Sequence, residues 1–328
     1  MAEEFQQYFR EKILDENRLF HKGNNQLFKI TTQEREYLLK RYLPMQGDKW
    51  NRGEIEFRAL SFLYPRGFNV PQPLNFFPED NIATYSFEKG RVLNQEEIQE
   101  QDIRELASFL ARLHKIDVKE RQKFQLERTS CLSVLDYIRL IKSRYNTIIG
   151  DFRGDEKEKY FLEKRVLPEI KRLEIETLQK CPSPNKKLSI EEQVLTRGDV
   201  AFNNVLVDES GRNRKYIFHD FEYWGRDDPA RPVLDFIHHD QTRNIRKSLK
   251  KLFLKEYNEL ADSSESFDSR IKLVSPLIGM NWVLIYLKVL SGDYLKHLKF
   301  AHEEVDAVVR ERIEKAKAKL DSLNKNEY

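Results

Sequence analysis

The apolar residues of this chain change period near position 90, and that change limits the folds open to it. Upstream, short alternating runs at 18–21, 26–30 and 36–40 are separated by turn-forming stretches at 22–25 and 32–35, which predicts a three-stranded antiparallel meander. A helix is expected from about Arg52 to Leu63, because Phe57, Leu60 and Leu63 recur at helical spacing, and Val70-Pro71-Gln72-Pro73 ends it. Runs at 74–77 and 82–87 supply two more strands, and residues 88–93 read as a linker. Beyond Asn94 the pattern becomes long amphipathic helices: Ile103, Leu106, Ala107, Leu110 and Leu113 mark one face, and Leu132, Leu135, Ile138 and Ile141 another. Charged residues crowd 150–180, yet Phe161, Leu162, Val166, Leu167, Ile170 and Leu173 keep an apolar stripe, before a loop at Cys181-Pro182-Ser183-Pro184-Asn185. The expected class is α+β and two-lobed, with a small antiparallel-sheet lobe over 1–90 and a large helical lobe over 91–328.

Composition excludes several functions. Hydrophobic residues at 40% argue for a folded chain of 328 residues despite 34% charged residues. Basic and acidic residues nearly balance, 57 against 54, and no basic block stands beside aromatics, so nucleic acid is not an expected partner. The apolar stretch 273–290 holds Pro276, Gly279, Asn281 and Lys288, which predicts a buried helix rather than a membrane span. Cys131 and Cys181 lack metal-ligand spacing and read as reduced thiols. With no basic n-region or apolar h-region at the start, the expected compartment is the cytoplasm. The oligomeric state is not legible.

The chemistry is concentrated in two stretches. In Leu195-Thr196-Arg197-Gly198-Asp199-Val200-Ala201-Phe202-Asn203-Asn204-Val205, an Asp and an Asn stand five apart in a turn entering a strand (catalytic loop 195–207). In Tyr216-Ile217-Phe218-His219-Asp220-Phe221-Glu222, a second Asp ends another strand (metal loop 219–224). This is what phosphoryl transfer requires: Asp199 to orient or deprotonate an attacking hydroxyl, and Asn204 and Asp220 as hard oxygen ligands for magnesium on the nucleotide phosphates. D-x-x-x-x-N followed by D-F follows the kinase order of catalytic and metal loops.

On these residues the chain resembles the aminoglycoside phosphotransferase and choline kinase superfamily, small-molecule kinases with a protein-kinase-like fold. Their usual signature is H-G-D-x-x-x-x-N followed by an Asp-headed D-x-D or D-W/F-E segment; here Arg197 stands where His is common. The resemblance implies ATP or GTP with Mg2+ as cofactors and a hydroxyl of an amino alcohol, sugar or aminoglycoside-like compound as acceptor. It implies that Lys40, at the end of the third strand, holds the α and β phosphates. Glu56 is then its helix partner, with Glu54 the competitor; Arg41 should face the other side of the sheet. Gly23 and Asn25 fall in the phosphate-covering loop, and Tyr85, Ser86 and Phe87 at the lobe junction, where backbone groups can pair with adenine. His114 is expected beneath the catalytic loop as structural support, and Asp235 at the opening of the next helix, anchoring loop backbone or capping the helix.

Two other readings stay open on sequence alone. A protein kinase would need an activation segment, but only fourteen residues separate Asp220 from Asp235 and no A-P-E element follows. A catalytically silent nucleotide-binding module is favoured only by Arg197 and the single loop glycine. The three histidines at 219, 238 and 239 are expected to be near one another by accident, with 238 and 239 on opposite faces. The acceptor pocket should lie on the side of 130–190 and the segment after Phe236. Tyr223, Trp224, Trp282 and Tyr286 could stack on a cation or sugar, although core packing is the commoner role of such aromatics. The acidic stretch 256–268 hints at a cationic acceptor but reads more simply as a solvated loop, and the tail 301–320 as a charge-paired helix.

Overall fold

The computed structural model describes residues 2–19, 25–42, 50–261, 265–301 and 305–323. Strands β1 (Asp15–Leu19), β2 (Gln26–Thr31) and β3 (Glu36–Arg41) form the expected meander, and β4 (Pro73–Phe77) and β5 (Ile82–Ser86) complete a five-stranded sheet of order β1-β2-β3-β5-β4. All pairings are antiparallel. Strand β1 begins three residues earlier than its apolar run suggested, and 20–24 lie outside the described residues.

The two-residue period of β3 explains how the sheet serves both sides. Tyr37 and Leu39 pack with Phe28 and Ile30 against Phe5 and Tyr8 of the N-terminal segment, a cover that sequence periodicity did not reveal because it is so short. Leu38 and Lys40 face helix α1 (Arg52–Leu63), whose bounds match the expectation. Arg41 points to the opposite face, as its register required: its guanidinium reaches Glu4 at 2.6 Å and lies over the Phe5 ring. Helix α1 is capped by Asn51, which accepts the Glu54 N–H, and buries Ile55, Ala59, Leu60 and Leu63. Gly53 lets it approach closely, since a Cβ there would come 2.8 Å from Asn81 Oδ1 and 2.9 Å from the Tyr42 ring.

The linker does not run free. Arg91 exchanges backbone hydrogen bonds with Val207 at 3.1 and 2.8 Å, tying it to the hairpin that carries the metal loop. The large lobe contains α2 (Glu100–His114), α3 (Val134–Gly150) and α4 (Leu167–Lys180), then strands β6 (Val194–Thr196), β7 (Val205–Asp208), β8 (Lys215–Phe218) and β9 (Gly225–Asp227), paired β6 with β9 and β7 with β8. Helices α5 (Ala230–His238), α6 (Lys247–Ala261), α7 (Glu265–Leu287) and α8 (Val305–Leu323) follow. The charged stretch before α4 is helical over Glu156–Phe161 and widens into a π turn over Leu162–Val166. Pro168, which has no N–H to return to the preceding turn, accounts for the shift of register.

Helix α7 is the central element and packs on α3, α5 and α8. The segment Glu265–Leu290 is long and apolar enough to cross a membrane, but 72% of its most apolar window is buried in the fold, as expected of a core helix. The tail helix pairs charges along itself as expected, Lys315 with Glu311 and Lys317 with Glu314, and is tied to the lobe by Asp321 to Arg165 and Lys315 to Asp240. The acidic stretch divides between the end of α6 and the start of α7, where Glu256 pairs with Arg104 and Asp268 accepts from Asn258; positions 262–264 are outside the described residues.

Candidate active site

Lys40 is the hub of the cleft between the two lobes. Its ammonium lies 2.7 Å from Glu56 Oε2, 2.7 Å from Glu222 Oε1 and 3.2 Å from Asp220 Oδ1. Glu56, not the exposed Glu54, therefore meets the lysine. Its carboxylate is fully used: Oε2 also accepts from the Tyr42 hydroxyl at 2.7 Å, and Oε1 accepts the Phe221 N–H at 3.1 Å. One carboxylate thus joins α1, the sheet and the metal loop. Burial alone would strip the Lys40 proton, yet Asp220, Glu222 and Glu56 outweigh it and hold the ammonium well above its usual range. Burial likewise opposes ionisation of Asp220, but Lys40 overrides it and keeps the carboxyl well below the carboxylate range. Glu222 goes the other way, raised by burial and by the two acids beside it.

Sequence reasoning quoted Glu222 without giving it a task. In the structure it accepts from Asn25 Nδ2 and faces Arg52 at 3.8 Å, while its backbone carbonyl accepts the Trp50 indole N–H at 2.7 Å. Oxygens of Glu56, Asp220 and Glu222 all lie within 4.8 Å of one another. Asp220 adopts φ 68°, a left-handed conformation uncommon outside glycine. Such strain persists only where surrounding bonds impose it, and it marks functional turns.

A second cluster forms around Asp199. Its Oδ2 and its backbone carbonyl both accept from Asn204 Nδ2 at 3.1 Å, and its Oδ1 lies 2.7 Å from His239 Nε2. His239 Nδ1 accepts the Gln241 N–H, so Nε2 carries the proton and donates to Asp199. Burial would raise the Asp199 carboxyl, but the His239 ring and the Asn204 amide together hold it below the usual range. His239 was expected to be near the other histidines by accident. It is instead buried against Trp282, ring centroids 4.4 Å apart, and it orients the catalytic-loop acid. A histidine just past the C-terminal end of a helix carries no local signal of that contact. His238 points away to Ser275, as the opposite-face reading required.

Arg197 joins the two loops. It is 1% exposed, donates from Nη2 to the carbonyls of Asn204 at 3.1 Å and His219 at 2.6 Å, and stacks 5.2 Å from the Phe221 centroid. Burial lowers its pKa to about 10. The support expected of a histidine at this position is supplied by one guanidinium. Gly198 beside it has φ 87°, and a Cβ there would sit 2.6 Å from Tyr223 Cβ, so only glycine fits.

Other expected site residues sort differently. Gly23 lies outside the described residues. The Ser86 N–H donates to Gln72 and the Phe87 N–H to Glu36, so both donors at the lobe junction already have partners. Tyr85 turns inward and bonds the Tyr42 hydroxyl at 2.8 Å. His114 has a structural bond: its Nδ1 meets the Tyr257 hydroxyl at 2.9 Å where the α2 end packs on α6, and α2 also packs on β6, the strand leading into the catalytic loop. Asp235 does not open α5. It lies inside that helix facing Arg231 at 3.7 Å, and burial raises it to about 6. Asp228 takes the helix start instead, accepting the Ala230 N–H as well as Tyr137 and Arg270. Trp224 is fully buried between Phe124 and Phe221 and is core.

A sheet lobe and a helical lobe meeting at a lysine, an acid-bearing helix, an Asp–Asn loop and an Asp-headed loop define a protein-kinase-like small-molecule phosphotransferase. Residues 18–261 match the phosphotransferase enzyme family (APH), and the chain belongs to it. No curated protein matches the sequence. Among solved structures, the fold is similar to spectinomycin phosphotransferase APH(9)-Ia in complex with ADP and spectinomycin (TM-score 0.63, 15% identity, 97% of each chain covered). It is also similar to choline kinase from Cryptosporidium parvum Iowa II (TM-score 0.62, 15% identity, 97% of this chain and 92% of that one). Choline kinase LicA from Streptococcus pneumoniae is a third (TM-score 0.62, 16% identity, 98% and 97%).

Proposed function

We propose that the protein transfers the γ-phosphoryl group of ATP or GTP to a hydroxyl of a small molecule, with residues 1–90 as the nucleotide lobe and 91–328 carrying the catalytic loop and the acceptor. The observation that carries this reading is the convergence of Lys40, Glu56 and Asp220 in one bonded cluster beside the Asp199–Asn204 pair. Asp199 is the base. Its carboxylate is held from both sides, by His239 and by Asn204, which fixes one lone-pair direction for the incoming hydroxyl. With acceptor bound, the hydroxyl proton passes to Asp199 as the oxygen attacks the γ-phosphorus in line and the β-phosphate oxygen leaves with the electron pair of the broken bond.

The donors fit a hard divalent cation: the carboxylates of Glu56, Asp220 and Glu222 converge without thiolate or imidazole, and of these Asp220 would hold it together with the side-chain carbonyl of Asn204, which in the structure accepts from Asn203 Nδ2. Mg2+ bound there would neutralise the β and γ phosphates. Lys40 supplies fixed positive charge to the phosphates, and its three carboxylates hold it pointed into the cleft until nucleotide arrives. Asn25 would lie over the phosphates. Ser86 and Phe87 border adenine, and since both N–H groups are engaged, their carbonyls are the groups left to accept from it. The two free cysteines suit a reducing compartment, and we place the protein in the cytoplasm. A protein-kinase role is disfavoured by the short path from Asp220 to α5 at Ala230, which leaves no peptide platform.

The test is Asp199→Asn in an ADP-release assay with magnesium. Turnover should fall at least a thousandfold while nucleotide affinity stays within threefold; full activity in the variant rejects the assignment.

A further inference from the structure

The acceptor side of Asp199 is unusually cationic for a site whose structural neighbours include enzymes named for choline. Glu127 lies beside the catalytic loop, its carboxylate 3.3 Å from where a Cβ on Gly198 would stand, and the exposed Arg128 follows it in the chain. On the other flank Trp282 of α7 packs on His239, which bonds Asp199. Just past the end of α7, in the 3-10 turn Lys288–Leu290, is Lys288, with its ammonium 6.0 Å from the Tyr294 ring that also bears Arg312. Arg144, on the α3 helix that packs against α7, lies within electrostatic reach of Asp235 and Lys288.

Acids in this region are already committed. Asp227 and Asp235 face Arg231, Asp240 holds Lys315 and the Tyr286 hydroxyl, and Glu127, whose field also reaches Arg144, accepts the Thr129 N–H and hydroxyl. Neither Arg144 nor Lys288 has a carboxylate in ion-pair range among the described residues. Arg144 Nε and Trp282 Nε1 are both buried donors without a hydrogen-bond partner there, an arrangement that ordinarily finds an acceptor. Lys288 is lowered to about 8 by burial and by Arg144, Arg128 and Arg312, a crowding of like charge that a negative group would relieve.

Resting on the kinase reading above, we propose that the acceptor is a hydroxyl compound that also carries an anionic group, a carboxylate or a phosphate, which Arg144 and Lys288 bind while its hydroxyl meets Asp199, with Arg128 and Arg312 adding attraction at the rim. A quaternary ammonium acceptor would meet like charge at the same place. The acidic stretch at the end of α6 does not oppose this, since its charges serve Arg104 and Asn258 elsewhere on the lobe.

The experiment compares kcat/KM for matched acceptors in ADP release by the full chain: glycerate and gluconate for carboxylates, glycerol 3-phosphate and glucose 6-phosphate for phosphates, glycerol and glucose as neutral counterparts, choline and ethanolamine as cations. At least one acid should exceed its neutral counterpart tenfold and both cations by more, and the two acidic arms show which anion is preferred. Lys288→Glu and, separately, Arg144→Gln should lower the acid-to-ethanolamine ratio at least tenfold. That ratio, taken within one preparation, is independent of the fraction folded. Choline or ethanolamine as the best acceptor, no acid above its neutral counterpart, or an unchanged ratio in both variants overturns the proposal. Magnesium-dependent ATP hydrolysis without acceptor is read alongside. Its absence in the native protein counts against the kinase reading itself, whereas its presence with a cation preference sinks only the anionic acceptor.

Discussion

Replacing His239 by leucine removes the one donor that fixes Asp199 Oδ1 while keeping most of the buried volume. The bond is 2.7 Å long and charge-assisted, a type worth about 1.5–3 kcal/mol. If its purpose is to aim the carboxylate, that energy is lost in the transition state, and about 1.4 kcal/mol per decade converts it to a ten- to hundredfold fall in kcat. Loss of the ring contact with Trp282 costs about 1 kcal/mol of stability, a shift in Tm of about 2 °C that leaves the enzyme folded at 25 °C. Nucleotide affinity should not change, because Lys40, Glu56 and Asp220 make no bond to His239. The assay is ADP release with the best acceptor at saturation, together with nucleotide titration. His239→Gln keeps an N–H that reaches the same oxygen and should restore at least half of the logarithmic loss. A kcat for the leucine variant within threefold of the native value, or a glutamine variant no faster than leucine, refutes the positioning role.

Two further outcomes follow from buried groups. Arg197→His leaves a single ring donor where Nη2 now serves the carbonyls of Asn204 and His219, so one buried carbonyl loses its partner; stability should fall by about 2 kcal/mol and kcat more than nucleotide affinity, and a Tm within 1 °C of native by calorimetry would show that the loops are held otherwise. His114 is lowered to about 4, mainly by burial, with Arg121 and Lys115 adding to it. Its unfolded form binds a proton near pH 6.5, so the unfolded state takes up more protons between pH 6.5 and 4 and stability falls as pH drops through that window. That loss is at most about 3 kcal/mol for this partly exposed ring. His114→Gln should therefore show a smaller difference in Tm between pH 7.5 and 5 than the native protein, and equal differences would refute the assignment.

Much of the small lobe could be read in advance because its strands alternate cleanly and its helix is apolar at helical spacing. Lys40 and Arg41 separate to opposite faces by register alone, and the α1 bounds followed from the helical spacing of Phe57, Leu60 and Leu63. Helix caps were less legible. Asp228 and Asp235 are the same residue type near the same proline, and only the path of β9 into α5 shows which one starts the helix.

The sequence by itself supplied the polar groups of the cleft: a D-x-x-x-x-N loop and an Asp-headed strand end bring hard oxygens together at short chain separation. Tertiary structure decided who holds those groups. Glu222 reaches Asn25 across 197 positions, Glu56 takes the Phe221 N–H across 165, and His239 meets Asp199 from the far end of a helix. Contacts of that range leave no periodic trace in the chain, because they depend on how two lobes and a central helix pack, and packing is fixed only when the whole core has formed.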